Sequence, residues 1–567
     1  AQAGIAGDDA VPLLSYDLIG KKNNGRPMYK TDWNNFAPRI GFAYNPSLKD
    51  GLLGTLFGDR KTVLRGGWSM VYDRVGGALS FIQDQGSYIF DNVASSAFGA
   101  LNPRTALLND PRFTAISSLP VENTAPAITR PFTPDPNGLA QSQFNYAISQ
   151  NFKIPYSYQW SFGVQRELPG NHLLDVSYVG RRGRQLFAQS DASQIIDFKD
   201  PASGQFMLAA LNNLQAQLAG GGAVTAQPWL ENQVAPFALS NYGRTCPQIA
   251  SDFLGFNAAN CSELIAGFVP DLVTTGGTAD LINTLFTNGL LNSNVGLGRQ
   301  FAVNAYITNQ GRSQYDGLLV SLRKRFSKGF QYDLNYTWSH AIDNQSSVTN
   351  AVSEGLIYNA LDPTAGRADA DFDLRHLFNA NGIWELPFGR GRAFGGDMPK
   401  WLDAAVGGWT IAGIFTARSG LPVTSFSGAW PVTVFTADNA GVPSVLVGDV
   451  PTNFAVDIHE DANGVIQYFA DPAAVQGAFR YPHHGEVGNR NVFRSQPYWN
   501  VDAVVSKKFR MPWSESHLLT FRAEAYNLFN KNFFGPPDLT FQSTTFGQIT
   551  TSQSAPRVLQ FALRYDF

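Results

Sequence analysis

The chain has 567 residues, and its 45 acidic and 42 basic side chains leave a formal net charge of -3 with no basic cluster, so no electrostatic footprint points to nucleic acid. Charged residues make up 15% against a usual ~25%, aromatic residues reach 13%, and no run approaches the ~18 apolar residues of a membrane helix. A mean hydropathy of -0.15 reads as soluble, yet polar residues facing a lumen dilute hydropathy in the same way, so a membrane β-barrel stays open.

Residues 1–35 are polar and turn-rich, with KKNNGRP at 21–27, and form a segment leading into the first strand rather than a packed domain. The opening AQAGIAGDDA has no initiator Met, basic n-region or apolar h-region, so a signal peptide is expected to be absent or already removed. From Phe36 onward the dominant pattern is alternation, which in an extended chain sends successive side chains to opposite faces. Phe36 to Asn45 is the first predicted strand and Thr62 to Asp73 the second, with Leu64, Trp68, Met70 and Tyr72 against Arg65, Ser69 and Asp73. After a long stretch rich in Pro, Asn, Ser and Ala, Tyr156–Leu168 sets Tyr156, Tyr158, Trp160, Phe162 and Val164 against Ser157, Gln159, Ser161 and Gln165. Only Pro169, Gly170 and Asn171 separate it from a strand running from Leu173 to about Phe187, a tight hairpin.

Residues 188–312 hold both cysteines and show little clear periodicity. Tyr315–Phe326 and Phe330–Ala341 then flank the short turn Ser327-Lys328-Gly329, and Phe330, Tyr332, Leu334, Tyr336 and Trp338 alternate with Gln331, Asp333, Asn335, Thr337 and Ser339. Strands are predicted near Asp373–Leu386, Trp409–Ser419, Tyr498–Phe509 and Leu518–Phe529. The last is RVLQFALRYDF, Arg557 to Phe567, with Leu559, Phe561, Leu563, Tyr565 and Phe567 on one face.

The connections alternate between modest (46–61, 169–171, 327–329, 387–408, 511–516) and long (74–155, 188–312, 342–372, 420–496, 530–555). Outer-membrane barrels sort their connections this way, with short periplasmic turns and long extracellular loops. The expected fold is therefore all-β, a transmembrane antiparallel barrel over 36–567 with about eleven spanning strands and a periplasmic C-terminus. An odd strand number beginning outside the cell suits the C-terminal part of a larger barrel, because single-chain bacterial barrels have even numbers.

Several segments resemble the barrel of Oar-like TonB-dependent receptors of Acidobacteria and myxobacteria: NNFAPRIGFAYNP (34–46), KTVLRGGWSMVYDR (61–74), PYSYQWSFGVQREL (155–168), DVSYVGRRGRQL (175–186), SQYDGLLVSLRKRFSKGFQYDLNYTWSHAID (313–343), DLRHLFNANGIWELPFGRGR (373–392), GGWTIAGIFTARSGLPVT (407–424), FRAEAYNLFNKNFF (521–534) and the terminal strand with Tyr565 and Phe567. The resemblance implies a Gram-negative outer-membrane location and a 22-stranded barrel, of which this chain would be the C-terminal part. It also implies a plug with a TonB box, which this sequence does not contain. The implied activity is TonB-powered uptake of a bulky nutrient. The implied partners are outer-membrane lipid and lipopolysaccharide, the barrel-assembly machinery, the TonB complex and an extracellular ligand. A structural or adhesive surface barrel without transport is the alternative.

No catalytic machinery or cofactor site is expected. Asp369, Asp371 and Asp373 alternate in GRADADFDLR between Arg367 and Arg375, and three carboxylates on one face are weak candidates for a hard cation, with an ion-paired ladder as the competing reading. His483 and His484 beside Glu486 read as an exposed polar loop more readily than as metal ligands, since adjacent side chains on extended chain diverge. His340 and Asp343 near Ser339 lack the strained nucleophile turn a hydrolase needs. Cys246 and Cys261, with fourteen residues between them, suit a disulfide pinning a long loop in an oxidising compartment, or else two unpaired buried thiols. Arg323, Arg325, Arg522 and Glu524 are expected to form ion pairs inside the wall, and Arg181, Arg182 and Arg184 offer a basic cluster to anionic lipopolysaccharide. Trp160, Trp338, Trp409, Trp499 and Tyr565 fall near strand ends, where aromatic girdles meet the membrane interface.

Overall fold

Side chains that alternate between large apolar and polar select extended backbone, and β-branched and aromatic residues pack well on a pleated surface. The computed structural model describes residues 15, 17, 19–74, 131–133, 144–191, 195–291, 303–346, 356–429, 441–448, 456–511 and 513–567. Eleven strands in it lie side by side in chain order: β1 (Arg39–Tyr44), β2 (Thr62–Tyr72), β3 (Tyr156–Leu168), β4 (His172–Asp191), β5 (Val303–Ser327), β6 (Phe330–Asp343), β7 (His376–Glu385), β8 (Trp409–Arg418), β9 (Tyr498–Met511), β10 (Ser514–Tyr526) and β11 (Val558–Asp566). Each pairs antiparallel with its predecessor. Among the described residues β1 and β11 are the two ends of this path. Much of the predicted 74–155 connection lies outside the described residues, as do residues 1–14.

The register carries the two faces across the whole sheet. One row of opposed residues reads Leu64, Val164, Val176, Val320, Tyr336, Phe378, Ala417 and Trp499. One residue along each strand, the next row reads Val63, Gln165, Asp175, Ser321, Asn335, Asn379, Thr416 and Asn500. A single step therefore changes an aliphatic and aromatic face into an amide, hydroxyl and carboxylate face. A one-residue slip in any strand would exchange its two sets, so the pattern fixes the register.

The short connections are true hairpin turns. Gly170 and Asn171 link β3 to β4 at φ 80° and 64°, and Lys328 and Gly329 link β5 to β6 at φ 53° and 77°. In the two-residue Lys328-Gly329 turn such paired left-handed residues twist in the same sense as the strands they join, while Pro169, Gly170 and Asn171 form a three-residue loop.

Two features of the 188–312 region correct the sequence reading. First, β4 and β5 run on well past the sheet as a ribbon, in which Ala188 faces Thr308 and Asp191 faces Ala305. Register shifts between Gly183 and Leu186 and between Leu186 and Ala188 bend that ribbon and obscure its alternation in the sequence. Second, the segment between the two strands is helical. Met207–Ala219, Pro228–Tyr242, Cys246–Ile249, Cys261–Phe268, Pro270–Thr274 and Thr278–Thr287 are α-helices around their own core. In the first of these, Met207, Ala210, Leu211 and Leu214 are buried at helical spacing. A second core gathers Tyr468, Phe469, Phe479 and Phe493 with Leu539, Phe541, Phe546 and Ile549, so the 420–496 and 530–555 connections pack into one β-rich insert.

Burial is thus inverted relative to a water-soluble protein. The two inserts hold most of the buried apolar side chains, while the apolar face of the sheet stays open, with Phe162 50%, Trp338 53%, Phe561 69% and Leu563 70% exposed.

Candidate functional site

Every long connection leaves the sheet at the same end, so a rigid wall carries the inserts together, as a scaffold carries binding loops. The segment from Tyr481 to Arg494 ties them to one another and to the rim.

Its first half docks on the helical insert. His484 is 3% exposed, contrary to the exposed loop expected from the sequence. Its Nε2 donates to the Val273 carbonyl at 3.1 Å, which leaves Nδ1 to accept from the Thr278 hydroxyl at 2.9 Å. The Asn212 side chain bonds both the backbone N–H and the carbonyl of His484, at 2.8 and 3.2 Å. Burial pushes the His484 imidazole down to about 4, so it is held neutral. Beside it, His483 Nδ1 meets Gln215 Oε1 at 2.9 Å. Burial would raise the Glu486 carboxyl, but paired hydrogen bonds from Arg480 at 2.7 and 2.9 Å hold it below its usual range. The approach is close enough that a side chain at Gly276 would collide with the Pro482 carbonyl, and one at Gly485 would strike Leu208. His483 and His484 therefore lie on different partners and form no shared metal site. Two histidines in a glycine-bearing turn are visible in the sequence; that the helical insert covers them is not.

The second half locks onto the rim. Arg490 and Arg494 project into the carboxylates that follow β6 and precede β7. Arg490, its side chain 6% exposed, pairs with Asp343, and its Nε lies 3.7 Å from Asp371. Arg494 pairs with Asp369 and, at 2.6 Å, with the fully buried side chain of Asp373. Arg375 meets Asp369 at 3.0 Å and Asp373 at 3.5 Å, and His340 bonds Asp369 at 2.7 Å. The three carboxylates are brought together, but around guanidinium groups, two of which come from more than a hundred residues away. Arg367 joins none of them. Among the described residues no three Asp, Glu, His or Cys side chains are arranged to hold a metal ion. Asp343 and His340 both serve this network, and Ser339 is spent on the Leu374 carbonyl at 2.8 Å.

Cys246 and Cys261 are joined in a disulfide with their Cα atoms 5.0 Å apart, and both lie in the helical core. On the polar face of the sheet Arg65 pairs with Asp175, Arg323 with Asp333 at 3.0 Å and Arg522 with Glu524 at 2.5 Å, whereas Arg325 enters no ion pair among the described residues. The Arg181, Arg182 and Arg184 cluster divides: Arg182 pairs with Asp316 at 3.0 Å, and Arg184 turns into a cavity at the rim. On the apolar face Trp409 and Trp499 sit at opposite ends of the β8–β9 pair, facing Lys507 and Ala417. The eight steps from Trp499 to Lys507 span about 26 Å along the strand, which at a tilt of about 40° is roughly 20 Å of height, somewhat less than the ~25 Å apolar band of a membrane barrel. Trp160 covers Gly180, where a side chain would collide with its ring, and Tyr565 stacks on Phe567 at 6.1 Å.

Residues 3–560 match the outer membrane beta barrel domain family. Among solved structures the chain is similar to the outer membrane transporter YddB from Escherichia coli, with 8% identity and a TM-score of 0.34, covering 90% of this chain and 39% of that one. It is also similar to Pseudomonas aeruginosa FpvA in complexes with heterologous pyoverdines, with 8% identity, a TM-score of 0.33 and coverage of 94% and 33%. For the ferric-catecholate import receptor Fiu from Escherichia coli K12 the values are 8%, 0.32, 93% and 34%. The chain thus spans less than half the length of these structures. Comparison with curated proteins returned no match.

Proposed function

The chain belongs to the outer membrane beta barrel domain family, matched over residues 3–560, and from that premise we propose that it is the barrel portion of a TonB-dependent receptor of the Oar-like type. Its role would be uptake of a bulky nutrient through an outer-membrane barrel whose plug and first strands lie elsewhere. The observation that carries this reading is the two-faced sheet, apolar and aromatic on one side and ion-paired on the other, with every long connection at one end. A wall of that kind separates lipid from a polar lumen. The inserts would form the extracellular surface that meets the ligand, and the short turns and C-terminus would face the periplasm, where the TonB complex acts through the plug. The terminal aromatic strand would be read by the barrel-assembly machinery.

A structural or adhesive barrel is favoured by a different observation. The inserts are cross-braced and cored, and a rigid surface platform needs nothing more. The intact mass and N-terminal sequence of the protein extracted from native outer membranes separate the two. A mass well above 61.8 kDa, with a plug and TonB box ahead of this sequence, supports uptake, and energised ligand accumulation should then vanish without TonB. A native chain of this mass alone rejects uptake in favour of the platform.

A further inference from the structure

Most arginines at the rim meet a carboxylate: Arg182 with Asp316, Arg375 with Asp369, Arg480 with Glu486, Arg490 with Asp343 and Arg494 with Asp373. Three do not. Arg184, Arg312 and Arg367 converge on a cavity of about 160 Å³ where β4, β5 and β6 leave the sheet, and among the described residues none of the three forms an ion pair. Among the described residues Arg184 donates only to the neighbouring Gly183 carbonyl, at 3.1 Å. The one carboxylate in the cavity wall, Asp343, is already committed to Arg490 on one oxygen and to the Ser346 hydroxyl at 2.7 Å on the other.

The wall is built rather than loose. Asn344 accepts from the Arg312 backbone N–H at 2.8 Å and donates to the Pro363 carbonyl at 2.8 Å, fixing the two halves of the cavity against each other. Asp362 caps Thr364 through its backbone N–H and hydroxyl, and the Arg367 N–H closes that turn onto the Thr364 carbonyl at 2.9 Å. The three arginine side chains line this open concavity while remaining largely exposed to solvent, so water screens their mutual repulsion and an anion bound there would meet all three. Guanidinium forks suit tetrahedral oxyanions, which accept two hydrogen bonds per fork.

The position points to a source. Arg184, Gln314 and Ile342 lie at the end of the sheet where the long connections leave, on the rows that carry Tyr178, Leu318 and Trp338 on the apolar face. Ile342 lies four residues past Trp338, about 13 Å along the strand. Girdle aromatics sit at headgroup level, so the cavity lies at or just outside the phosphate layer.

We propose that the Arg184, Arg312 and Arg367 cavity binds a phosphate-type dianion. In the membrane the donor is a headgroup phosphate of lipopolysaccharide, a step that rests on the proposed outer-membrane function. The site itself does not, because free phosphate carries the same chemistry.

The test uses the whole chain in two formats. In detergent, inorganic phosphate is titrated by calorimetry. In vesicles, binding is compared with intact and with enzymatically dephosphorylated lipopolysaccharide. Variants are the R312Q/R367Q double change, its R312K/R367K counterpart and R392Q at the opposite end of the sheet, with retained helical ellipticity and resistance to unfolding in cold detergent as the check on folding. The double Gln change should weaken phosphate and intact lipopolysaccharide at least tenfold, the Lys pair should recover part of that loss, and R392Q should change nothing. Phosphate binding without lipopolysaccharide binding would keep the dianion site and reject the lipid source. Undiminished affinity of the folded double Gln variant for both probes, or equal affinity for dephosphorylated lipopolysaccharide, would overturn the proposal.

Discussion

His484 is the residue where burial has the most direct thermodynamic consequence. Its folded value of about 4 lies below the ~6.5 of an unfolded chain. Between those values the unfolded state binds more protons, so the contribution of His484 to the insert is complete above pH 6.5 and is lost as pH falls toward 4. The full difference is on the order of 3 kcal/mol. Asp280, in the same helical insert, opposes it. Burial lifts its carboxyl to about 6, which weakens the insert above that pH and relieves it on acidification. The two windows overlap, so the wild-type insert should vary little in stability between pH 6.5 and 4, whereas D280N should be visibly acid-labile there. Amide hydrogen exchange of the Val273–Leu285 region, corrected for its intrinsic pH dependence, reads this. A D280N profile as flat as the wild type would show that His484 stays neutral for no energetic reason. Arg490 makes a second prediction at this scale. It and Asp343 are almost fully enclosed, so R490Q strands a buried carboxylate and should cost about 3–5 kcal/mol locally, while R490M/D343L should cost much less. Exchange rates of the Leu446 amide, which bonds Asn489 Oδ1, and of the Asn489 amide, which bonds the Ser444 carbonyl, separate the two outcomes.

Among elements, the contrast between sheet and inserts also marks what can be read from the sequence. The strands are legible because each carries its own two-period code: Tyr156–Leu168 has both ends where the alternation places them, and the others differ at their margins except β5, which begins at Val303, twelve residues before the expected Tyr315. The inserts are not legible as a unit. Their cores are assembled from distant segments, as Phe469 packs with Phe546 at 6.1 Å and Gln215 reaches the Pro482 carbonyl at 3.1 Å. No local period announces such a contact. The helices themselves do leave a trace, since MLAALNNLQAQLA is apolar at helical spacing, and the Gly- and Ala-rich stretches around it mask that trace. The aspartates of GRADADFDLR are visible, but their partners Arg490 and Arg494 are not. Because the longer helices are in the insert between β4 and β5 and the alternating wall is strand, one spectrum can follow both. The Cys246–Cys261 disulfide closes a loop of about fifteen residues, which stabilises by roughly 3 kcal/mol in the chain-entropy account. In C246A/C261A the helical ellipticity should therefore melt well below that of the wild type while the strand signal is unmoved. Coincident loss of both signals would mean that the insert and the wall unfold as one body.

At the scale of the whole molecule the question is what solvent meets each face, because register places Leu334 and Asn335 on opposite sides of one strand. Leu334 faces Leu322 and Ala380 across the sheet, midway between Phe330 and Trp338 on the apolar row. Asn335 faces Ser321 and Asn379, and its amide donates to Asp333 at 3.0 Å. If the apolar row touches hydrocarbon, L334R places a guanidinium near the bilayer midplane and should cost about 2–4 kcal/mol. N335R adds a charge to a polar lumen beside Asp333 and should cost close to nothing. The two variants share side chain, strand and distance from the turn, so propensity and local sterics cancel in the comparison. Folding into lipid vesicles from denaturant, followed by the shift between folded and heat-denatured gel mobility, measures the difference. In a soluble sandwich both faces meet water or packed protein, and the ordering collapses. A soluble sheet with its core on the Leu334 side would reject L334R in detergent-free buffer and in lipid alike, whereas a membrane wall rejects it according to bilayer depth. Moving the same Arg from Leu334 toward the girdle, at Trp338, should then recover most of the loss in vesicles, because the charge reaches headgroups and water. That depth dependence follows from a lipid-facing wall and from no packed interior.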